Sequence, residues 1–177
     1  MVLTGTGTGV GKTIVAAAIA SLSVYRRRSV AVLKPAQTGV APGEPGDVDE
    51  VARLAGDDVT TWELARFPDP LAPATAARRA GIMPVTPKQV AAAAIELSRG
   101  HDLVLVEGAG GLLVRMDDHG GTLADVAWSA GAPVLIVADA GLGTLNDTAL
   151  TAEVLRRRRS EERRVGKECR SRWSPCH

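Results

Sequence analysis

Met1-Val2-Leu3-Thr4 runs directly into Gly5-Thr6-Gly7-Thr8-Gly9-Val10-Gly11-Lys12-Thr13, and then into Ile14-Val15-Ala16-Ala17-Ala18-Ile19-Ala20. A short apolar strand, a glycine-rich turn and an Ala/Ile/Leu-rich helical stretch follow one another without a linker. Glycines let successive backbone N–H groups turn inward around an anion, and the start of the helix adds the positive end of its dipole. A lysine after the last glycine can bridge β- and γ-phosphate oxygens, and the hydroxyl beside it can ligate Mg²⁺. The usual phosphate-loop spacing is broken at one place, because Thr6 stands where the first glycine is expected. The strand–turn–helix setting and the Gly11-Lys12-Thr13 ending outweigh that departure. The stretch predicts a nucleoside triphosphate site.

Working outward, strands and helices alternate. Residues 12–28 carry a helical pattern that ends in Arg26-Arg27-Arg28, three cations placed to solvate a helix C-terminus and favour its dipole. Residues 30–34 read as a strand, followed by the loop Lys34-Pro35-Ala36-Gln37-Thr38-Gly39. Residues 47–54 read as a short helix capped by Gly46 or Asp47. A Pro-rich connection over 67–73, a short helix near 74–80 and a longer one over 87–99 come next. Leu103-Val104-Leu105-Val106-Glu107 is a continuous apolar run of the kind buried on both faces. Gly108-Ala109-Gly110-Gly111 is expected to turn out of it. A helix over 122–129, another buried strand over 133–138 and a final helix over 145–158 complete the series. The fold expected is α/β: a doubly wound, mostly parallel sheet of the P-loop NTPase type with right-handed crossovers, one domain over 1–158 and incomplete at its C-terminus.

Composition narrows the classes further. The chain has 177 residues, 45% apolar and 3% aromatic, so its core is built from Ala, Val, Leu and Ile. No run reaches the ~18–20 apolar residues of a membrane span. Residues 156–177 hold nine Lys/Arg and three Asp/Glu, leaving 12 and 17 in residues 1–155, so a net +6 tail follows a net −5 body. From Arg159 the chain reads RSEERRVGKECRSRWSPCH, with no apolar period. It can be a basic arm for nucleic acid, a solvated tail, or no native sequence at all. The third reading is favoured, because the string looks like the in-frame translation of a short-read DNA-sequencing adapter. Residues 159–177 are therefore expected to be non-native and disordered, and the acidic body argues against a nucleic-acid partner. Both cysteines, Cys169 and Cys176, lie in that tail, and a cysteine-free body fits a cytoplasmic location.

Three strand ends carry the chemistry. Glu107 closes the buried strand, where a carboxylate beside the phosphate loop can hold Mg²⁺ directly or through water. Asp47 is a weaker candidate, since Glu44, Asp49 and Glu50 share its segment. Lys34 ends the second strand and points into the same crevice, where its charge can stabilise a transferring phosphoryl or a carboxylate-like group. Thr38 and the Gly39 amide are expected to add hydrogen bonds there. His101 and His119 read as surface residues, and no Cys/His metal cluster or Ser-His-Asp order can be drawn.

TGTGTGVGKT (4–13), KPAQTG (34–39), Asp47, VEGAGGLLV (106–114) and ADAGLGTLN (138–146) together resemble the dethiobiotin synthetase family. The resemblance runs through residues 1–158, and its specific part is the pairing of KPAQTG with VEGAGG. It implies an ATP- and Mg²⁺-dependent ligase. In that chemistry 7,8-diaminononanoate and CO₂ form a carbamate, ATP phosphorylates it to a carbamic–phosphoric anhydride, and the second amine closes the ring of dethiobiotin. It implies Thr13, Asp47 and Glu107 as Mg²⁺ ligands, with Asp49 an alternative to Asp47. Nucleotide contacts are implied at Gly9, Val10, Gly11, Lys12, Thr13, Ile14, Asp47, Glu107, Gly108, Ala109 and Gly110. Lys34 and Lys12 are the implied catalytic residues. Thr8 and Thr38 are implied contacts to the diamine or carbamate. Gly141, Leu142, Gly143, Thr144, Leu145 and Asn146 are implied to hold the substrate carboxylate across a homodimer interface. The family continues for roughly another third of the body's length, so the chain as written is expected to be an inactive piece with an exposed sheet edge. Two other readings compete: a P-loop amidoligase of the cobyrinate diamide type, and a nucleotide-dependent switch. The switch group carries an extra lysine early in its loop, where Gly7 stands here.

Overall fold

The apolar stretches sort to two faces of one sheet because successive strand side chains point to opposite sides. The computed structural model describes residues 1–163, with side chains through Arg158. Five parallel strands, β1 (Val2–Gly5), β2 (Val30–Lys34), β4 (Val59–Glu63), β6 (Leu103–Gly111) and β7 (Val134–Val137), lie in the order β4-β2-β6-β1-β7. Two short strands, β3 (Gln37–Thr38) and β5 (Arg66–Phe67), pair in a separate parallel ladder. Leu3, Val30, Val32 and Leu105 face α1 (Lys12–Tyr25) and α2 (Asp47–Ala55), packing on Ala16, Ala17, Ala20 and Val51. Val2, Ala31, Leu33, Val104 and Val106 face the other way, onto Val90 and Ala94 of α4 (Pro87–Leu97) and Val126 and Ala127 of α5 (Leu123–Ser129). This is the doubly wound α/β arrangement. A third, smaller cluster joins Ala36 and Phe67 to Ala76 and Ala77 of α3 (Pro73–Ala80), and so backs the loop after β2.

Several expectations shift. Gly108–Gly111 does not turn out of the strand; β6 runs on to Gly111, which pairs with Gly5. Between the pairs Leu3↔Glu107 and Gly5↔Gly111, β6 places four residues against two of β1. That irregularity bends the strand end and re-aims its side chains, and Gly110, with φ +69, absorbs part of it. β7 is only half-buried along Val134, Leu135 and Ile136, because among the described residues it pairs with β1 alone at the sheet edge. The sequence reading had no strand at 59–63. Val59-Thr60-Thr61-Trp62-Glu63 alternates burial as an edge strand does, and its polar residues hide it from a search for apolar runs.

Helix ends also move. α1 stops at Tyr25, leaving Arg26, Arg27 and Arg28 beyond it, with Arg27 in the left-handed region at φ 57. α6 spans Thr144–Arg163, five residues past the expected end. Within the expected part of α6, Glu153 pairs with Arg156 and Arg157, and Arg158 reaches Asp125 at 2.7 Å. The rest of the tail reading, over 164–177, lies outside the described residues. Among those described, no helix is long and apolar enough to cross a membrane.

Candidate active site

The strand order sets the site. β2, β6 and β1 are neighbours, so Lys34, Glu107 and the glycine-rich loop emerge side by side at one edge of the sheet. Thr4 and Gly5 are buried, while Thr8 and Gly9 are exposed. Gly11 adopts φ 92 at the N-cap of α1, a conformation that costs a side-chain-bearing residue ~1–2 kcal/mol. No side chain caps that helix start, so its amides face the loop. Lys12 is 7% exposed, and its Nζ donates to the Gly7 carbonyl at 2.9 Å. Burial lowers its pKa from the ordinary lysine value, and the Lys34 charge lowers it further, against the opposing pull of Glu107 and Asp47.

Four elements converge on one carboxylate. Glu107, 1% exposed, accepts at Oε1 from Thr13 Oγ1 at 2.9 Å and from Lys34 Nζ at 3.1 Å. The Lys34 ammonium, itself buried, lies 3.5 Å from the Gly108 carbonyl and forms a second ion pair with Asp47 Oδ2. Buried charges persist only when paired and hydrogen-bonded, and this lysine has both kinds of partner. Asp47 and Asp49 have different partners: Asp47 reaches Lys34, whereas Asp49 accepts from the Gly46 amide at 2.6 Å and faces Arg66 at 3.7 Å. No group of three His, Cys, Asp or Glu able to hold a metal occurs among the described residues. Two carboxylates with the Thr13 hydroxyl nonetheless form a hard oxygen donor set of the kind Mg²⁺ takes. The ammonium lying between those carboxylates marks the spot as one that accepts positive charge.

The remaining predicted residues divide. Gly108, Ala109, Pro35 and Ala36 line a small cavity with Pro73, Val114, Met116 and Leu123. Thr8 lies beside Gly110, since a Cβ on that glycine would meet Thr8 Oγ1 at 3.6 Å. Thr38 is half-buried in β3. Ile14 is 57% exposed on α1. Gly141, Leu142 and Thr144 line a second cleft with Thr6, Gly7, Val10, Asp139 and Asp147, whereas Gly143, Leu145 and Asn146 stand outside that lining. The expectation for the Gly39 amide is wrong. It donates to the carbonyls of Phe67 and Asp69, both at 3.0 Å, because pairing with β5 consumes it. His101 spans Leu97 and Thr60 with its two ring nitrogens, and His119 is exposed. Sequence reasoning passed over Gln37, which is 4% exposed and reaches the start of α2, and Arg66, which ties down the loop before it. The only signal for Gln37 was a polar amide in the middle of KPAQTG.

Comparison with known proteins decides the family. A family model described as an AAA domain matches residues 1–165. The ATP-dependent dethiobiotin synthetase BioD of Saccharopolyspora erythraea is 73% identical over 158 residues, covering 89% of this chain and 68% of that protein. The chain belongs to the dethiobiotin synthetase family. The protein of the same name from Streptomyces avermitilis is 70% identical over 158 residues, covering 89% of this chain and 66% of its own length. The chain thus spans about two thirds of the length of these family members. Among solved structures, the signal recognition particle 54 kDa protein of Aeropyrum pernix K1 in complex with GDP aligns at 22% identity and a TM-score of 0.43, over 76% of this chain and 27% of that one. That likeness is too loose to add to the assignment.

Proposed function

We propose that the protein to which this chain belongs forms dethiobiotin from 7,8-diaminononanoate, CO₂ and ATP. The observation that carries this reading is the meeting of Lys34, Glu107, Asp47 and Thr13 beside the glycine-rich loop. The relatives, named ATP-dependent dethiobiotin synthetase, support it.

In this reading the loop amides and the start of α1 cradle the triphosphate, and Lys12 leaves the Gly7 carbonyl for phosphate oxygens. Thr13, Asp47 and Glu107 would hold Mg²⁺, which when bound offsets charge on the phosphates. One substrate amine adds CO₂ to give a carbamate, losing a proton. A carbamate oxygen then displaces ADP from the γ-phosphorus, and the second amine attacks the carbonyl carbon and expels phosphate. Lys34 stabilises the anionic carbamate and anhydride from the end of β2, where burial strengthens its field. Thr38 and Thr8 orient the diamine, and the turn from Gly141 to Asn146 receives the carboxylate tail in a homodimer. A cytoplasmic setting, where ATP is supplied, belongs to the same proposal.

The test is phosphate release from ATP by the full-length protein, with diamine and bicarbonate each withheld in turn. Release is expected only when both are present. Release indifferent to the diamine would sink the reading in favour of a nucleotide switch. Lys34→Ala is expected to lower kcat far more than nucleotide affinity, and Lys12→Ala to lower nucleotide affinity. Sedimentation of the full-length protein tests the dimer, and cell fractionation the location.

A further inference from the structure

At the start of α2 its own Asp49 accepts from the Gly46 amide at 2.6 Å, but no N-cap side chain receives the first helical amides. Gly46 occupies its N-cap, and the first helical amide, that of Asp47, donates instead to Gln37 Oε1 at 2.9 Å. Gln37 comes from β3, where its own amide donates to the Ala65 carbonyl at 2.8 Å and its register with Arg66 is set by the ladder. Its Nε2 lies 3.4 Å from the Thr38 carbonyl. The missing side chain at Gly46 is what admits this contact: a Cβ there would sit 2.9 Å from Gln37 Oε1 and 3.0 Å from Arg66 Nη2. Arg66 completes the fitting. It pairs with Glu63 at 2.7 Å and donates to the carbonyls of Ala41 and Glu44, holding the loop that leads into α2. The Asp47 side chain is 35% exposed, so burial does not hold its carboxylate.

We infer that Gln37 is a positioning residue that acts through Asp47. One buried amide ties the loop carrying Lys34 and Thr38 to the helix carrying Asp47, and thereby sets the Asp47 carboxylate against Lys34. This inference rests on the proposed role of Asp47 as a metal ligand. Residues that orient a metal's ligands typically change its affinity ~10–100-fold when removed. Gln37 reaches Asp47 through the backbone amide, so its effect belongs at the lower end of that range.

The experiment titrates Mn²⁺, a hard cation suited to oxygen ligands, into the protein in the presence of a non-hydrolysable ATP analogue, following free Mn²⁺ by its paramagnetic resonance signal. Gln37→Met keeps the length of the side chain and removes the acceptor; it is expected to weaken Mn²⁺ binding about ten-fold. Gln37→Glu keeps an acceptor at the same reach and is expected to restore most of the affinity. In an Asp47→Asn background, Gln37→Met is expected to add nothing, because the residue acts through the carboxylate already removed. A loss of equal size in both backgrounds overturns the inference, since a general loosening of the fold would produce it. Asp47→Asn weakening Mn²⁺ while Gln37→Met leaves it unchanged overturns this inference alone. Asp47→Asn without effect overturns the metal role proposed for Asp47 and, with it, the inference. Should Gln37→Met not fold, Gly46→Ala makes the same test by pushing the amide aside at an ordinary backbone angle, φ −109. It too is expected to weaken Mn²⁺ when Asp47 is intact and to do nothing in the Asp47→Asn background, and any other result overturns the inference.

Discussion

The C-terminal ends of β6 and β7 lie on either side of β1 and were assigned to one site, yet they are built in opposite ways. In β6, four residues before its last, Glu107 is 1% exposed and tied to three other elements through Thr13, Lys34 and, by way of Lys34, Asp47. Past the end of β7, Leu142 and Leu145 are 111% and 85% exposed, and the turn is held mainly by local contacts such as Thr144 N to Gly141 O at 3.3 Å. The first region is assembled by the fold before any ligand arrives. The second offers a surface and a helix start, and its side chains have few partners within the described residues. Charge chemistry needs the first kind of region, because fixed dipoles in a dry setting act strongly.

The largest effect that would break this contrast is on the buried side. Lys34→Met leaves the buried Glu107 with its Thr13 bond but without its ion-pair partner, and is expected to cost about 3–5 kcal/mol, read from the urea midpoint. An unchanged midpoint would show that the network contributes nothing to the fold. Phe67→Ala empties the cluster behind the KPAQTG loop and is expected to cost about 3 kcal/mol. Amide exchange over Ala36 to Gly39 should accelerate with it, and protection there without change would separate loop order from that cluster. Gly108→Ala places a Cβ 2.4 Å from Leu123 Cδ2, an overpacking expected to cost about 1–3 kcal/mol by thermal melting.

Smaller effects sharpen the comparison. The Lys12 pKa is lowered by burial, so the folded protein binds this proton less tightly than the unfolded chain. The penalty is present in full below the lowered pKa and disappears as pH rises toward 10.5, where the unfolded chain also loses its proton. Lys12→Met is therefore expected to flatten the rise in stability through that window, and a pH series of unfolding midpoints checks it. Smallest of all, Leu142→Ser should leave stability within about 0.5 kcal/mol. A larger loss would mean that the β7 side is tied down after all.

Legibility followed the kind of signal. The glycine-rich loop, β2 and the apolar part of β6 were readable because each is a local pattern with one physical meaning. The edge strand β4 was not, since Val-Thr-Thr-Trp-Glu buries only alternate residues and lacks an apolar run. The extension of β6 through the four residues Gly108 to Gly111 was hidden by glycines that usually signal a turn. The Gly39 amide was assigned to the site from proximity in sequence, and β5, 28 residues further along at Phe67, claimed it. Gln37 carried only the faint sign of a polar amide within KPAQTG, because its partner at Asp47 is ten residues away and their contact depends on the absence of a side chain at Gly46.

By itself the sequence determined that strands and helices alternate, that a glycine-rich turn opens the first helix, that a lysine ends the second strand and that a glutamate lies in the buried strand over 103–107. Those properties belong to short stretches, where propensity and period act. Tertiary structure alone decided that β2, β6 and β1 are neighbours, that Asp47 and not Asp49 meets Lys34, and that one glutamate oxygen serves both Thr13 and Lys34. Those are distances between residues far apart in the chain. They exist only once the two apolar faces of the sheet are covered and the strand order is set.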